Sequence, residues 1–295
     1  MCYDNLLILI VSMKLIAAWN EFVKEKSAFL CPTSLASDYK QATKWLSNCP
    51  TQNIKKGRKI MMWILSQDPQ LTNRRVAMYL KALYKWMASE DVEMIDKNPI
   101  ANFKMPKKPQ KDRDIIVIPQ TEQLIVLTAL ESNARVTQGK NWRYYAEFML
   151  QTGMRTGEVR ALRWDDIKDN SIYVHQNWTL THNLKNSTKT NETRWVPLNQ
   201  TALNIINKTP HTDEFIFPWN RYAFQSWFYD RMTELHQKGL IEKRYRPYDL
   251  RHTAISRWIE AGIPVAQVAK WAGNSTEVIF QHYCNVTQHY DIPVL

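Results

Sequence analysis

The chain has little of what marks several common functional classes. Its 295 residues include four cysteines, Cys2, Cys31, Cys49 and Cys284, with no C-x-x-C pair among them. That scatter argues against a zinc site or a disulfide framework and fits a reducing compartment. No Asp, Glu or His residues recur at metal-ligand spacing, so no metal and no other cofactor is expected. Long apolar runs are also missing. The one run near the start, LLILIV at residues 6–11, is too short to span a bilayer and follows Asp4 rather than a basic segment. It reads as neither anchor nor signal, and because the helical pattern begins only after Met13, that residue is a candidate start. Acidic residues are in deficit as well, 28 against 39 Lys plus Arg, a net charge of +11. Such an excess implies an anionic partner, either nucleic acid or an acidic membrane surface, and charge alone does not choose between them.

The length suits two compact units better than one. From about residue 13 to 104 the pattern is helical. In NRRVAMYLKALYKWMAS, Val76, Tyr79, Leu80, Leu83 and Trp86 or Met87 recur at helical spacing, with Arg74 and Arg75 elsewhere around the cylinder. Lys55, Lys56, Arg58 and Lys59 form a second basic cluster. Each cluster alone is an ordinary solvated helix face, but both in one small helical region of a basic protein point to a phosphate-contacting surface. Residues 98–114, NPIANFKMPKKPQKDRD, combine three prolines with basic residues that include Lys107 and Lys108, and read as an extended linker. Beyond it, Thr121 is expected to cap a helix, and NWRYYAEFMLQTG forms another that ends at Gly153. Residues 171–198 are β-branched and aromatic, broken by Asn, Ser and Thr, as in a small antiparallel sheet. Helical patterns return from about Gln200 to Asn285, interrupted by FIF at 215–217. The expected fold is mainly α with a small antiparallel sheet, in two domains: residues 1–104 helical, 105–117 a basic linker, 118–295 an α+β domain with a C-terminal tail.

The chemistry concentrates near the C-terminus, where RPYDLRHT places Arg251 32 residues ahead of Tyr283, while Arg155 lies far upstream in TGMRTGEVRALRW. Two guanidiniums and a phenol suit a phosphodiester, because guanidinium matches phosphate oxygens bidentately and tyrosine can bond covalently to phosphorus. Taken singly, each residue also has an ordinary structural role, Tyr283 as a core tyrosine among them.

Order and spacing carry more. TGMRTGEVRALRWDDI, then TKTNETRWVPL, then RPYDLRHT, then WAGNS, then Tyr283 nine positions after Asn274, resemble the catalytic core of the tyrosine recombinase (phage integrase) family over about residues 119–286. The N-terminal half more loosely resembles that family's helical core-binding domain, with no additional N-terminal arm domain expected. The resemblance implies that Arg155 and Arg251 clamp the scissile phosphate, that Lys189 protonates the departing 5′-hydroxyl, and that Tyr283 forms a 3′-phosphotyrosyl bond without metal or ATP. It makes Glu158 the support of Arg155. Two positions depart from the family's commonest pattern: Tyr248 stands where histidine is usual, and Asn274 where histidine or tryptophan is. Both are assigned to phosphate positioning. His252, one helical residue past Arg251 and so pointing about 100° away from it, is not expected to stand in, and the base is left open. The implied partners are double-stranded DNA at a specific site and three further copies in a homotetramer, with an accessory bending or directionality factor and no membrane. The implied location is the cytoplasm, near the nucleoid or in an infected host. A DNA-relaxing type IB topoisomerase and a DNA-binding protein that has lost catalysis are the alternatives.

Overall fold

The computed structural model describes residues 14–30, 32–68, 70–107, 115–131, 141–179, 184–185 and 192–283. The chain divides into two compact units, Met1–Gln110 and Lys111–Leu295.

The first unit is all helical. Helix α1 (Leu15–Ser27) is followed by a π-helical turn, Leu35–Tyr39, that runs into α2 (Lys40–Ser47), then α3 (Gly57–Leu65) and α4 (Gln70–Met87). The apolar stripe read from sequence on α4 is the one that turns inward: Val76, Leu80, Leu83 and Met87 are buried against Trp19, Phe22, Leu46 and Ile60. Polar groups inside this core are satisfied. Tyr84 Oη donates to the Ile54 carbonyl at 2.7 Å, and Trp19 Nε1 donates to Thr43 at 2.8 Å. Asn73, itself buried, donates to the carbonyls of Leu65 and Gln67, which α3 leaves over at its C-terminus. Tyr84→Phe removes the partner of a buried carbonyl and is expected to lower stability by about 1–2 kcal/mol.

The boundary between the two units falls inside the segment read as a linker, and its described ends are anchored on the units they join. Phe103 and Met105 pack on the first unit's core, Lys81 donates to the Phe103 carbonyl and Arg74 to that of Pro106. Ile115 and Ile116 pack on cores of the second unit, and Ile118 N–H donates to Thr253 Oγ1. The density of proline and lysine hides four apolar anchors, and burying those anchors outweighs the charge around them.

In the second unit, α5 (Gln120–Ala129) begins at Pro119, so Thr121 lies inside its first turn rather than capping it. Helices α6 (Trp142–Thr152) and α7 (Thr156–Arg160) precede the strands. β1 (Ile167–Lys168), β2 (Ser171–Val174) and β5 (Arg194–Pro197) form a three-stranded antiparallel sheet in the order β1-β2-β5, and β3 (Asn177–Trp178) pairs with β4 (Leu184–Lys185). Helices α8 (Gln200–Lys208), α9 (Arg221–Gln237), α10 (Pro247–Glu260), α11 (Val265–Ala272) and α12 (Thr276–Tyr283) complete it. An aromatic core of Trp142, Tyr145, Phe148, Phe217, Trp219 and Phe224 fixes α6, and α6 packs along α10. A smaller core of Ile255, Ile259, Val268, Ala272, Ile279 and Tyr283 binds α10, α11 and α12 together.

The Tyr84 prediction is checked by urea unfolding of wild type and Tyr84→Phe, read through a probe confined to the helical unit.

Candidate active site

Two left-handed helix caps set the geometry. Gly153 closes α6 at φ 59°, and Gly273 closes α11 at φ 63°, a conformation that costs an L-residue with a Cβ about 1 kcal/mol or more. A Cβ on Gly153 would stand 2.7 Å from the Trp258 ring, and one on Gly273 would stand 2.9 Å from the Arg194 guanidinium. Each cap delivers its carbonyl to an arginine. Gly153 O accepts from Arg251 Nη1 at 2.6 Å, and Gly273 O accepts from Arg155 Nη2 at 2.6 Å.

Arg155 stands just ahead of α7, and Glu158 answers it in two ways. One carboxylate oxygen accepts from the Arg155 backbone N–H at 2.9 Å and the other from Nη1 at 2.8 Å, so a single acid caps the helix and pairs with the side chain. Arg194, from β5, grips the same carboxylate with both terminal nitrogens at 2.7 and 3.2 Å, while its Nε donates to the Trp271 carbonyl at 2.8 Å. Glu158 is 1% exposed. Burial pushes its pKa up, but the charges of Arg194, then Arg155 and Arg251, prevail and bring it down to about 2.

Arg251, rising from α10, is fully buried. Its Nη2 donates to Ala272 O at 2.8 Å and to Asn274 Oδ1 at 3.2 Å; Arg155 Nη2 reaches the same Oδ1 at 2.8 Å. A guanidinium has no acceptor, so it must be the carboxamide oxygen of Asn274 that faces the pair, which leaves its NH2 as the donor on the other side. One side chain thus ties two cations that would otherwise repel. Burial, and then the nearby Arg155, push the Arg251 pKa down from its ordinary value.

Tyr283 ends α12, 3% exposed, with its hydroxyl 2.7 Å from His252 Nδ1. Burial pushes the phenol's pKa up, opposed by the charges of Arg251 and Arg155. The His252 pKa falls to about 4, mainly through burial. Tyr248 is exposed, its ring meeting His252 edge-on at 4.8 Å and lying 5.9 Å from the Arg251 guanidinium.

Of the residues singled out from sequence, Arg155, Glu158, Arg251 and Asn274 form one hydrogen-bonded cluster, with Tyr248 against Arg251 and Tyr283 joined through His252. Lys189 lies outside the described residues, as does Lys108. Two expectations need correction. Arg251 is not an open fork: carbonyls at two helix ends accept from both of its terminal nitrogens, while its buried Nε has no hydrogen-bond partner among the described residues. The angle from Arg251 argues against His252, yet Tyr283 arrives from α12 on the side that Tyr248 and His252 share at i,i+4 spacing. Arg194 joins this cluster, and motif order does not single it out. The alternation of β5, with Val196 inward and Trp195 outward, places it inside.

In the first unit, Lys55 and Lys56 on a 3₁₀ turn and Arg58 and Lys59 on α3 are all exposed, with Arg58 lying 6.0 Å from the Phe103 ring. Arg75 is ion-paired to Asp38 at 2.6 Å, Arg74 is turned to Pro106 O, and Lys107 is exposed.

Glu158→Gln leaves Arg155 and Arg194 without their counter-charge and is expected to destabilise the protein by about 3 kcal/mol or more. The pH dependence follows from the depressed pKa: stabilisation is complete above about 4.5, the ordinary carboxylate value, and is lost as pH falls toward about 2. Urea unfolding across that window should show an acid-labile component in wild type that Glu158→Gln lacks.

Residues 120–289 match the phage integrase family model. The chain is 28% identical over 157 residues to the shufflon-specific DNA recombinase of Escherichia coli, covering 52% of this chain and 37% of that protein. It is 23% identical over 229 residues to the integrase of Salmonella phage P22, covering 72% and 53% respectively. The chain therefore spans about half or less of the length of these curated relatives. Among solved structures, the Tn1549 transposon integrase in complex with transposon right end DNA superposes with a TM-score of 0.72 at 13% identity, covering 95% of this chain and 96% of that one. A lambda integrase dimer bound to a COC′ core site gives 0.71 at 17% identity, covering 96% and 100%. At these identities the structures share the fold. With more than half of its length in the family match, the chain belongs to the phage integrase family.

Proposed function

We propose that the protein is a site-specific DNA recombinase that cuts and rejoins strands through a 3′-phosphotyrosyl intermediate. The observation that carries this reading is the gathering of Arg155 and Arg251 on one carboxamide, Asn274, with the Tyr283 phenol within the field of both. In a site shielded from water, two fixed cations stabilise the charge that builds on a phosphorane far more than they would in solution. Arg155, the more accessible of the two, and the Asn274 NH2 contact non-bridging oxygens. Arg251 acts from beneath through its charge, and Tyr248 positions the phosphate from the exposed side. Tyr283 Oη attacks phosphorus, the P–O5′ bond breaks, and Lys189 supplies a proton to the departing oxygen. The covalent bond conserves the energy needed for religation, so the reaction runs without ATP or metal.

The lysines on the 3₁₀ turn and α3 would contact the phosphate backbone, as would Arg58. Arg74 and Arg75, both engaged within their own unit, contribute less. One solved relative is a lambda integrase tetramer bound to a Holliday junction. By analogy, four copies of this chain act on two duplexes, with an accessory DNA-bending factor where the site requires one. The protein works wherever its DNA target resides.

Two measurements test this. On a nicked suicide duplex carrying the cognate site, wild type is expected to leave an adduct that survives denaturing electrophoresis, and Tyr283→Phe none; an adduct persisting in Tyr283→Phe would remove that tyrosine from its role. Replacing Lys55, Lys56 and Lys59 by Gln is expected to weaken binding to all sequences alike. It should also flatten the slope of log K against log salt by about 0.9 for each phosphate that is no longer neutralised. Arg75→Gln should change that slope little.

A further inference from the structure

The recombinase reading leaves the proton of Tyr283 without a destination. Its hydroxyl is nearly excluded from water, burial opposes ionisation, and the position from which the family's histidine usually serves holds Tyr248, a second phenol. Asn274 carries no lone pair basic enough to take a proton, and its oxygen is already engaged by both arginines. Among the described residues, one side chain with a titratable lone pair touches the hydroxyl: His252, whose Nδ1 lies 2.7 Å from Tyr283 Oη.

We infer that His252 is the general base of this protein, taking the Tyr283 proton on Nδ1 as Oη bonds to phosphorus. The inference rests on the recombinase reading and supplies the step that reading left open. Bonds and protons balance: the Oη–P bond forms, P–O5′ breaks, the phenolic proton passes to Nδ1, and O5′ is protonated separately. In the opposite direction His252 returns its proton to Tyr283 as the free 5′-hydroxyl regenerates the phosphodiester.

Three further features fit a base rather than a packing residue. The base role requires Nδ1 to accept, and the 2.7 Å contact accommodates the neutral tautomer that carries its hydrogen on Nε2 and leaves Nδ1 free to receive a proton. The groups acting on the ring electrostatically are Asp249, Arg251 and Arg246 on or beside its own helix and His282 on α12, beside the phenols of Tyr248 and Tyr283. Burial, with the charges of Arg251, Arg246 and His282, outweighs Asp249 and holds the imidazole uncharged at neutral pH, with a pKa of about 4. A scissile phosphate entering beside Arg155 and Arg251 adds negative charge and moves that pKa toward the working range, so the base strengthens when substrate is in place. The geometry is also fixed by packing. Tyr248 meets the imidazole edge-on at 4.8 Å, one turn away on α10, which orients the ring toward α12. The substitution at the family's histidine position therefore converts a base into a wall that aims the base next to it.

The test is single-turnover adduct formation on the suicide duplex at saturating protein, comparing wild type with His252→Asn and His252→Ala, each first shown to bind the duplex and to melt as wild type does. Asn keeps an acceptor near Nδ1 but cannot hold a proton. If His252 is the base, both variants lose about 10²-fold or more in rate at unchanged DNA affinity. The His252→Ala loss is partly restored by added imidazole or by 3-fluorotyrosine at position 283, whose more acidic phenol needs less help. A His252→Asn rate within about threefold of wild type would show that the histidine only holds Tyr283 in place. A His252→Ala defect that responds to neither imidazole nor fluorotyrosine overturns the inference as well. Absence of any adduct in wild type sinks the recombinase reading itself, and the two failures are therefore distinct.

Discussion

The second unit depends on a carboxylate buried among cations. Glu158, 1% exposed, accepts from Arg155 and Arg194 and lies within the field of Arg251. Three guanidiniums gathered at one place in a low-dielectric interior would repel strongly, and the desolvation of each would add to the cost. One anion placed by a single helical turn offsets much of that, and helix-cap carbonyls and the Asn274 carboxamide supply the remaining acceptors. Through these bonds Glu158 connects α7, strand β5 and the end of α11. It is a structural part of the site as much as an electrostatic one.

The caps follow the same logic. Gly153 and Gly273 end helices in a conformation that glycine adopts without steric cost, and in doing so turn their carbonyls toward Arg251 and Arg155. Groups that an ordinary helix end would leave to water instead hold the two arginines. As a result Arg251 is sequestered, with both terminal nitrogens engaged by the protein. Tyr283 is sequestered too, among the apolar side chains that join α10, α11 and α12. Among the described residues, His252 is the polar group its hydroxyl meets.

Much of this is legible in the chain. Helical spacing and glycine's backbone freedom yield the buried stripe of α4 and the stop at Gly153, because these depend on local backbone preference and a period of 3.6. Motif order yields Arg155, Glu158, Arg251, Asn274 and Tyr283. The anchoring of the linker's ends escapes a sequence reading because Phe103, Met105, Ile115 and Ile116 are spaced without a period. His252 escapes it because helical geometry gives its direction from Arg251 on the same helix, whereas its partner comes from another. Arg194 is, in sequence, one more basic residue in a basic protein.

By itself, then, the sequence determined the family and the helical character with one small sheet, and it singled out Arg155, Glu158, Arg251 and Tyr283 as candidates, since each is a matter of residue type and order along one chain. Only the tertiary structure decided which groups share a proton or a charge. That Glu158 serves two arginines, that one carboxamide joins Arg155 to Arg251 across 96 residues, and that His252 rather than Tyr248 meets the Tyr283 hydroxyl all follow from the packing of α6, α10, α11, α12 and β5. Hydrogen bonds and ion pairs act over about 3 Å, and separations along the chain do not report distances that small between residues on different elements.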